Sequence, residues 1–504
     1  MKAINKLFYT AIVLLLVLVP NACTDNFDEL NTNPKLVTDE IIKPELLFTK
    51  VLKQSSFEIQ NQGRVGEYSG YTSRGDSGQP LTFGDFGPFD NYRDHIVNLS
   101  AIIRLTAEDP ADVNLNAIAR IWKVWVFHRI TDSYGDVPYF DAAQSFEDVV
   151  ISPSYDSQED IYIDMLNELK EAASQLSTDD ELNGFGAADV MFGGDVDSWE
   201  RFANSLRLRL AMRVRYADES LAQSHITEVL SEPLIVSNDQ NAKVTSEGED
   251  FAFLANTNPL YQNFYNGSAG ASNATVVGLP ITENLDANND PRTDLLLDPN
   301  LDGFFIGRAI NMNVEERDAY VSSATRMDEM FLQAEYDFNA FLAAEVSFLR
   351  AEAALAGLSS EDEAALFQEG IQLSMEQYGV DPADITTFLG SAAGSLAGTT
   401  EEQLEQIIVQ KYIALFGDPY EAWAEHRRTG YPRIWIGSLT ALDTDNAIPR
   451  RSAYPLDEYN LNGANVSSAA GRLDEGDILT SNVWWDAKDG LPFAHPKQGT
   501  FPPY

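Results

Sequence analysis

Cysteine is almost absent from this chain: Cys23 is the only one among 504 residues. A lone thiol has no intrachain partner, so the fold is expected to hold without a disulfide. Basic residues are scarce as well. There are 34 Lys and Arg against 78 Asp and Glu, a formal charge of −44. A field of that sign repels nucleic acid and anionic membrane surfaces, which argues against a nucleic-acid partner and suits a heavily solvated acidic surface. No apolar run after Cys23 is long enough to span a bilayer. The five histidines, His95, His128, His225, His426 and His495, are scattered, and none has the spacing of a zinc-binding helix. Phosphate-cradling glycine loops and nucleophile motifs are missing too. With 78 acids, carboxylate pairs arise by chance, and none sits in a recognisable hydrolase motif. The chain is therefore expected not to be an enzyme and to need no cofactor.

What is present begins at the amino terminus. Lys2 and Lys6 form a short basic region, Phe8 to Val19 is apolar, and small Ala22 precedes Cys23. That pattern predicts a cleaved leader over residues 1–22 and lipid attachment at Cys23. Pro20 and Asn21 depart from the usual bacterial lipobox. Cleavage would leave 504 − 22 = 482 residues, with a charge near −46 once two leader lysines are gone. Residues 23–38 are polar, carry Asn33-Pro34, and read as a lipid-anchored tether. No low-complexity linker divides the remainder, so residues 39–504 are read as one helical body.

Several helices are legible. Asp197 and Glu200 have capping-box spacing, and Phe202, Leu206, Leu210 and Val214 recur every four residues. Arg201, Arg207, Arg209, Arg213 and Arg215 crowd the same helix, and ion pairs with Asp and Glu are the expected account. A helical pair is predicted over about 342–379. In it, Val346, Leu349, Ala353 and Ala356 precede Gly357, and a Ser360/Glu363 cap opens the second helix, which Gly379 ends. A further pair over about 400–430 starts at a Thr400/Gln403 cap. It turns at Gly417 and restarts at Asp418-Pro419-Tyr420-Glu421 before stopping at Gly430. Paired helices of this length are similar to tetratricopeptide packing. Residues 432–504 lose the helical period and read as a loop-rich terminal segment.

Four further stretches complete the pattern. Asn26-Phe27-Asp28-Glu29-Leu30-Asn31-Thr32-Asn33-Pro34 follows the cysteine. Thr131-Asp132-Ser133-Tyr134-Gly135-Asp136-Val137-Pro138-Tyr139 has the composition of a tight turn. Gly194-Asp195-Val196-Asp197-Ser198-Trp199 leads into the arginine helix, and Ala422-Trp423-Ala424-Glu425-His426-Arg427-Arg428-Thr429-Gly430-Tyr431-Pro432 ends the last pair. With Pro449-Arg450-Arg451-Ser452-Ala453-Tyr454-Pro455 and Trp484-Trp485-Asp486, their joint order resembles the SusD/RagB family of outer-membrane nutrient-binding lipoproteins, in its SusD-like subgroup. The resemblance spans nearly the whole chain. It implies a mainly α-helical fold, an α/α superhelix of tetratricopeptide-like pairs with a looped face. It implies a lipid-anchored protein on the cell surface of a Bacteroidota bacterium. It also implies a partner, a TonB-dependent transporter of the SusC type that the lipoprotein serves as a lid, and a cargo of oligosaccharide or peptide. A purely structural lid with little affinity of its own is the other alternative.

The shared motifs themselves read as structural. Trp122, Trp125, Trp199 and Trp423 are expected in the core, and Arg427 and Arg428 are expected to bridge carboxylates. A sugar binder needs flat aromatic surface beside polar edges, and that mixture occurs in loops. Residues 68–92 offer Tyr68, Tyr71, Arg74, Asp76, Gln79, Phe83, Phe86, Phe89 and Tyr92. Residues 256–274 offer Asn256, Asn258, Tyr261, Gln262, Asn263, Phe264, Tyr265 and Asn266. From these, Tyr71, Arg74, Asp76, Phe83, Phe86, Phe89, Asn258, Tyr261, Asn263, Phe264 and Tyr265 are the candidate ligand contacts. Phe304 and Phe305 form a third, weaker candidate. Asp286, Asn288, Asn289 and Asp290 cluster oxygens that could hold structural Ca²⁺, although Asn289-Asp290-Pro291-Arg292 also reads as a turn.

Overall fold

The computed structural model describes residues 43–60, 63–73, 87–143, 150–248, 256–261, 276–313, 315–316, 324–438 and 447–501. The leader, Cys23 and the tether lie outside the described residues, as do Arg74, Asp76, Phe83, Phe86, Asn263, Phe264 and Tyr265. The chain divides into two units, Met1–Lys43 and Pro44–Tyr504, and every element below belongs to the second.

The longer helices are α1 (Pro44–Phe57), α2 (Val97–Leu105), α3 (Val113–Tyr134), α4 (Gln158–Gln175), α5 (Val196–Val214) and α6 (Glu219–Val229). After them come α7 (Leu279–Ala287), α8 (Ala343–Leu355), α9 (Glu363–Gln377), α10 (Thr400–Ala414) and α11 (Pro419–Thr429). From α2 to α6 each helix packs on the next, and α8 packs on both α9 and α10. This is the expected mainly helical class, and the two predicted pairs are α8–α9 and α10–α11. Strands are few: β1 (Ala242–Thr245) pairs antiparallel with β4 (Asp337–Phe341), and β2 (Leu297–Asp298) with β3 (Arg326–Met327). The loop-rich terminal segment also carries two short helices, Leu456–Leu461 and Gly463–Ala470, too short for a period to show.

Three predicted caps move. Helix α5 is capped by Asp195, which accepts from the Ser198 amide at 3.1 Å, so Asp197 already lies in its first turn. Helix α9 is capped by Asp362 rather than Ser360. Helix α10 is capped by Thr399, whose amide donates to Glu402 at 2.7 Å while its hydroxyl accepts from the Glu402 amide. A carboxylate is a stronger acceptor than the Gln403 amide, which favours the earlier register. The Asp418 cap holds as read, and Gly430 closes α11 at φ +87°. A Cβ at Gly430 would also stand 2.6 Å from Leu491 and Phe493.

The core is aromatic and ionic at once. Trp122 and Trp125 stack at 4.2 Å, fully buried, with Trp199 and Phe202 against them. Four of the α5 arginines are paired, as expected. Arg207 reaches Glu228, Arg215 reaches Glu352, Arg209 binds Glu345 at 2.8 Å, and Arg213 contacts Glu421, Glu425 and Asp132. Arg201 instead donates to the Asp197 carbonyl. Arg428 clasps Glu352 and Glu425, and Lys411 lies 3.3 Å from both Glu345 and Glu421. Burying ions is costly, and only a network that bonds every oxygen offsets it. Burial pushes the Glu421 carboxyl up, but Arg213, Arg209 and Lys411 outweigh it and hold it well below its usual range. Glu425 is likewise pushed up by burial yet held down to about 2 by Arg428, Lys411 and Arg213.

The sequence motifs converge on this core. Asp132 accepts from Trp485 at 2.8 Å and from Tyr162. Arg427 departs from expectation: among the described residues it bridges no carboxylate but donates to the Asp132 and Arg450 carbonyls, with its guanidinium 3.6 Å over Trp423. Arg450 pairs with Asp486, and Arg451 donates to the Tyr134 carbonyl. Gly135 takes φ +86°, as the turn requires. Asp136 reaches beyond that turn, accepting the first amide of α4 from Gln158 at 2.8 Å.

Candidate functional site

Isolated β-bridges gather segments distant in sequence: Thr72 with Val277, Val276 with Arg326, Gly278 with Arg308, and Ile310 with Ile436. Helix α7 starts from this junction at Leu279, with Pro280 in its first turn. Its outward face forms one wall of a cleft of about 680 Å³, contributing Thr282, Glu283, Asn284, Asp286 and Ala287. The loop at Gly303–Ile306, Glu405 and Val409 of α10, Arg433, and the terminal residues His495–Lys497 supply the rest. Two other cavities among the described residues hold only about 20 and 10 Å³, too small for more than a water.

Phe304 is the exposed ring of this cleft, 61% accessible. Asn300 holds its backbone, accepting the Phe304 amide at 2.9 Å and donating to its carbonyl at 2.8 Å, so the ring is presented from a fixed loop. Phe305 is partly buried against the core beneath. His495 joins two walls. Its Nδ1 accepts the Lys497 amide at 3.1 Å, which leaves the proton on Nε2 to donate to Glu283 Oε1 at 2.8 Å. Among the described residues, Glu283 Oε2 is buried without a hydrogen bond, and so is the hydroxyl of neighbouring Tyr412. Trp435 donates to the Lys497 carbonyl, and Gln498 exchanges two bonds with Ile436, which fastens the terminal wall. Arg433 pairs with Glu405 at 3.0 Å. Burial raises the Glu405 carboxyl, with Arg433 opposing. Asp286 is exposed, and its carboxylate makes no hydrogen bond or ion pair among the described residues.

The loop candidates fare differently. Tyr71 is a correction: it is wholly buried, stacked on Tyr412 and edge-on to Phe416, and its hydroxyl donates to the Tyr412 carbonyl at 2.6 Å. Asn258 is a second correction, since its amide donates to the Phe331 and Gln333 carbonyls and its oxygen accepts from Leu260. Phe89 packs on Tyr92 and Tyr134 as a core rim residue. Tyr261 is half-buried. Tyr71 turns inward beside the bridge between Thr72 and Val277. In the Asp286–Asp290 stretch, Asp290 gives both oxygens to Arg292, at 2.9 and 2.6 Å, so that carboxylate is committed to a guanidinium. Among the described residues, no group of three His, Cys, Asp or Glu is arranged to hold a metal. The cleft brings together Phe304 and Phe305 from the weakest sequence candidate with Glu283, Glu405, Arg433 and His495, which no motif had marked.

A family model described as starch-binding associating with outer membrane matches residues 40–455, and the chain belongs to this SusD-like family. Among solved structures, it is 26% identical to a chitin-binding protein, with a TM-score of 0.76 over 88% of this chain and all of that one. A SusD homologue from Bacteroides uniformis is 25% identical with a TM-score of 0.75, covering 88% of this chain and 99% of its own. A chitin-binding SusD homologue from Flavobacterium johnsoniae superposes with a TM-score of 0.74 at 24% identity, covering 89% of this chain and 98% of its own. No curated protein matches the sequence. At the family level, then, glycan binding and association with the outer membrane are in place. No helix among the described residues is long and apolar enough to cross a membrane.

Proposed function

We propose that this protein is a lipoprotein, anchored through Cys23 to the outer membrane and facing outward, that captures an oligosaccharide. It then delivers the sugar as a lid to a TonB-dependent transporter of the SusC type. The observation that carries the binding role is the cleft beside α7, where an exposed phenylalanine ring lies among carboxylates and amides. A pyranose offers an apolar face for stacking and hydroxyl edges for hydrogen bonds, and this lining supplies partners for both. Family membership and the chitin-binding relatives support a glycan over a peptide. Capture and release need no cofactor and no bond cleavage, since affinity arises from stacking and hydrogen bonding, and lid closure gates delivery. Calorimetry on the detergent-purified full chain tests the reading, with starch and chitin oligomers as ligands. Binding that weakens in Phe304→Ala supports it; absence of binding, or binding indifferent to that change, refutes it. Peptide binding in the same assay would point to the alternative cargo.

A further inference from the structure

Within that carbohydrate reading, the hydrogen-bonding character of the cleft wall has a direction. Asn284 spends one of its two amide N–H groups on the Pro280 carbonyl at 2.7 Å, and its side-chain oxygen is engaged by no donor among the described residues. Glu283 is held as an acceptor by His495. Asp286 stands one turn further on the same face, exposed and uncommitted. Helix α7 ends at Ala287, so the negative pole of its dipole falls at this rim. Of the cations, Arg433 pairs with Glu405 through one nitrogen while its buried Nε has no hydrogen-bond partner among the described residues, and Lys497 is exposed. With Glu283, Asp286 and Glu405 set against Arg433 and Lys497, the wall is net negative, and its exposed carboxylate favours a ligand that brings donors.

We propose that this cleft selects hydroxylated or aminated sugar rings and rejects uronates, with Asp286 as the residue that sets the discrimination. A ring hydroxyl, an N-acetyl N–H or an ammonium donates to Asp286 and the Asn284 oxygen. A ring carboxylate brings only acceptors and a like charge, and the net charge of −44 adds a background of the same sign. A like charge a few ångströms away at low salt weakens binding by about tenfold.

The test compares three β-1,4-linked hexamers, of N-acetylglucosamine, glucosamine and glucuronate, titrated into the full chain in detergent at low ionic strength. Glucosamine and N-acetylglucosamine hexamers are expected to bind about tenfold or more tighter than the glucuronate hexamer. Asp286→Asn is expected to shrink that ratio to about threefold, and Lys497→Met to widen it. Asp286 is a surface residue, so its variant is expected to keep the fold, which circular dichroism checks. Equal or tighter binding of the glucuronate hexamer overturns the proposal, as does a ratio that Asp286→Asn leaves unchanged. If none of the three binds, and starch oligomers do not either, the carbohydrate reading itself falls and the selectivity with it.

Discussion

In the core, Glu345, Glu352, Glu421 and Glu425 have both carboxylate oxygens bonded to Arg209, Arg213, Arg428 or Lys411. At the cleft, Glu283 has one oxygen bonded and one orphaned, and Asp286 has neither committed. The residue type is the same, but the environments set different tasks. Where water is excluded, an unpaired charge costs several kcal/mol, so every oxygen there is matched and the helices are tied together. Where water reaches the rim, as at Asp286, an uncommitted acceptor is cheap to keep and available to a ligand, whereas the buried Glu283 oxygen carries a cost that the rim does not relieve.

Breaking the core side of that contrast should give the largest effect. Arg213→Ala leaves Glu421, Glu425 and Asp132 short of a partner and is expected to destabilise the fold by about 3–5 kcal/mol in denaturant unfolding. Acidification probes the same lattice. Glu421, Glu425 and Glu352 have lowered carboxyls, so their stability is complete above the unfolded value near 4.5 and lost as pH falls through their lowered folded values, about 2 for Glu425. His128 and His426 are held neutral, chiefly by burial, His426 down to about 3. An unfolded histidine takes up its proton below about 6.5, so these two also favour unfolding as pH drops. Asp132 and Asp486, raised by burial, oppose the trend. The expected outcome is a denaturation midpoint that falls from pH 7 to pH 4, with the steepest loss below 4.5; a flat profile would contradict the lattice.

On the cleft side, Phe304→Ala is expected to cost about 1–2 kcal/mol of oligosaccharide affinity, roughly tenfold in Kd, with an unfolding midpoint like that of the parent. Tyr71→Phe separates the two regions. It removes one buried hydrogen bond, so stability should fall by about 1 kcal/mol while binding stays level. Loss of binding in Tyr71→Phe would return that residue to the site. The smallest effect is expected from Asp286→Asn, within about 0.5 kcal/mol in stability.

The helices were legible because their apolar spacing and Asp or Thr caps are local signals. Capping registers slipped by one or two residues where neighbouring Asp, Ser and Thr competed, as at Asp195 and Asp362. The paired arginines of α5 were inferable from charge balance, although their partners lie up to 212 positions away. Arg427 escaped the inference because carbonyls and tryptophan faces leave no charge pattern. Tyr71 and Phe304 show the limit most clearly. Both are aromatic residues in polar stretches, and only the bridge at Thr72 shows that one turns inward while the other stands free.

By itself, then, the order of residues determined the helical class, the family and the structural character of its shared motifs, since periodicity and capping act over a few neighbouring positions. Which acids became lattice and which became cleft was decided by the tertiary structure alone. That choice depends on water access and on distant partners, such as His495 against Glu283 and Lys411 against Glu345, and burial is a property of the folded whole rather than of any stretch of chain.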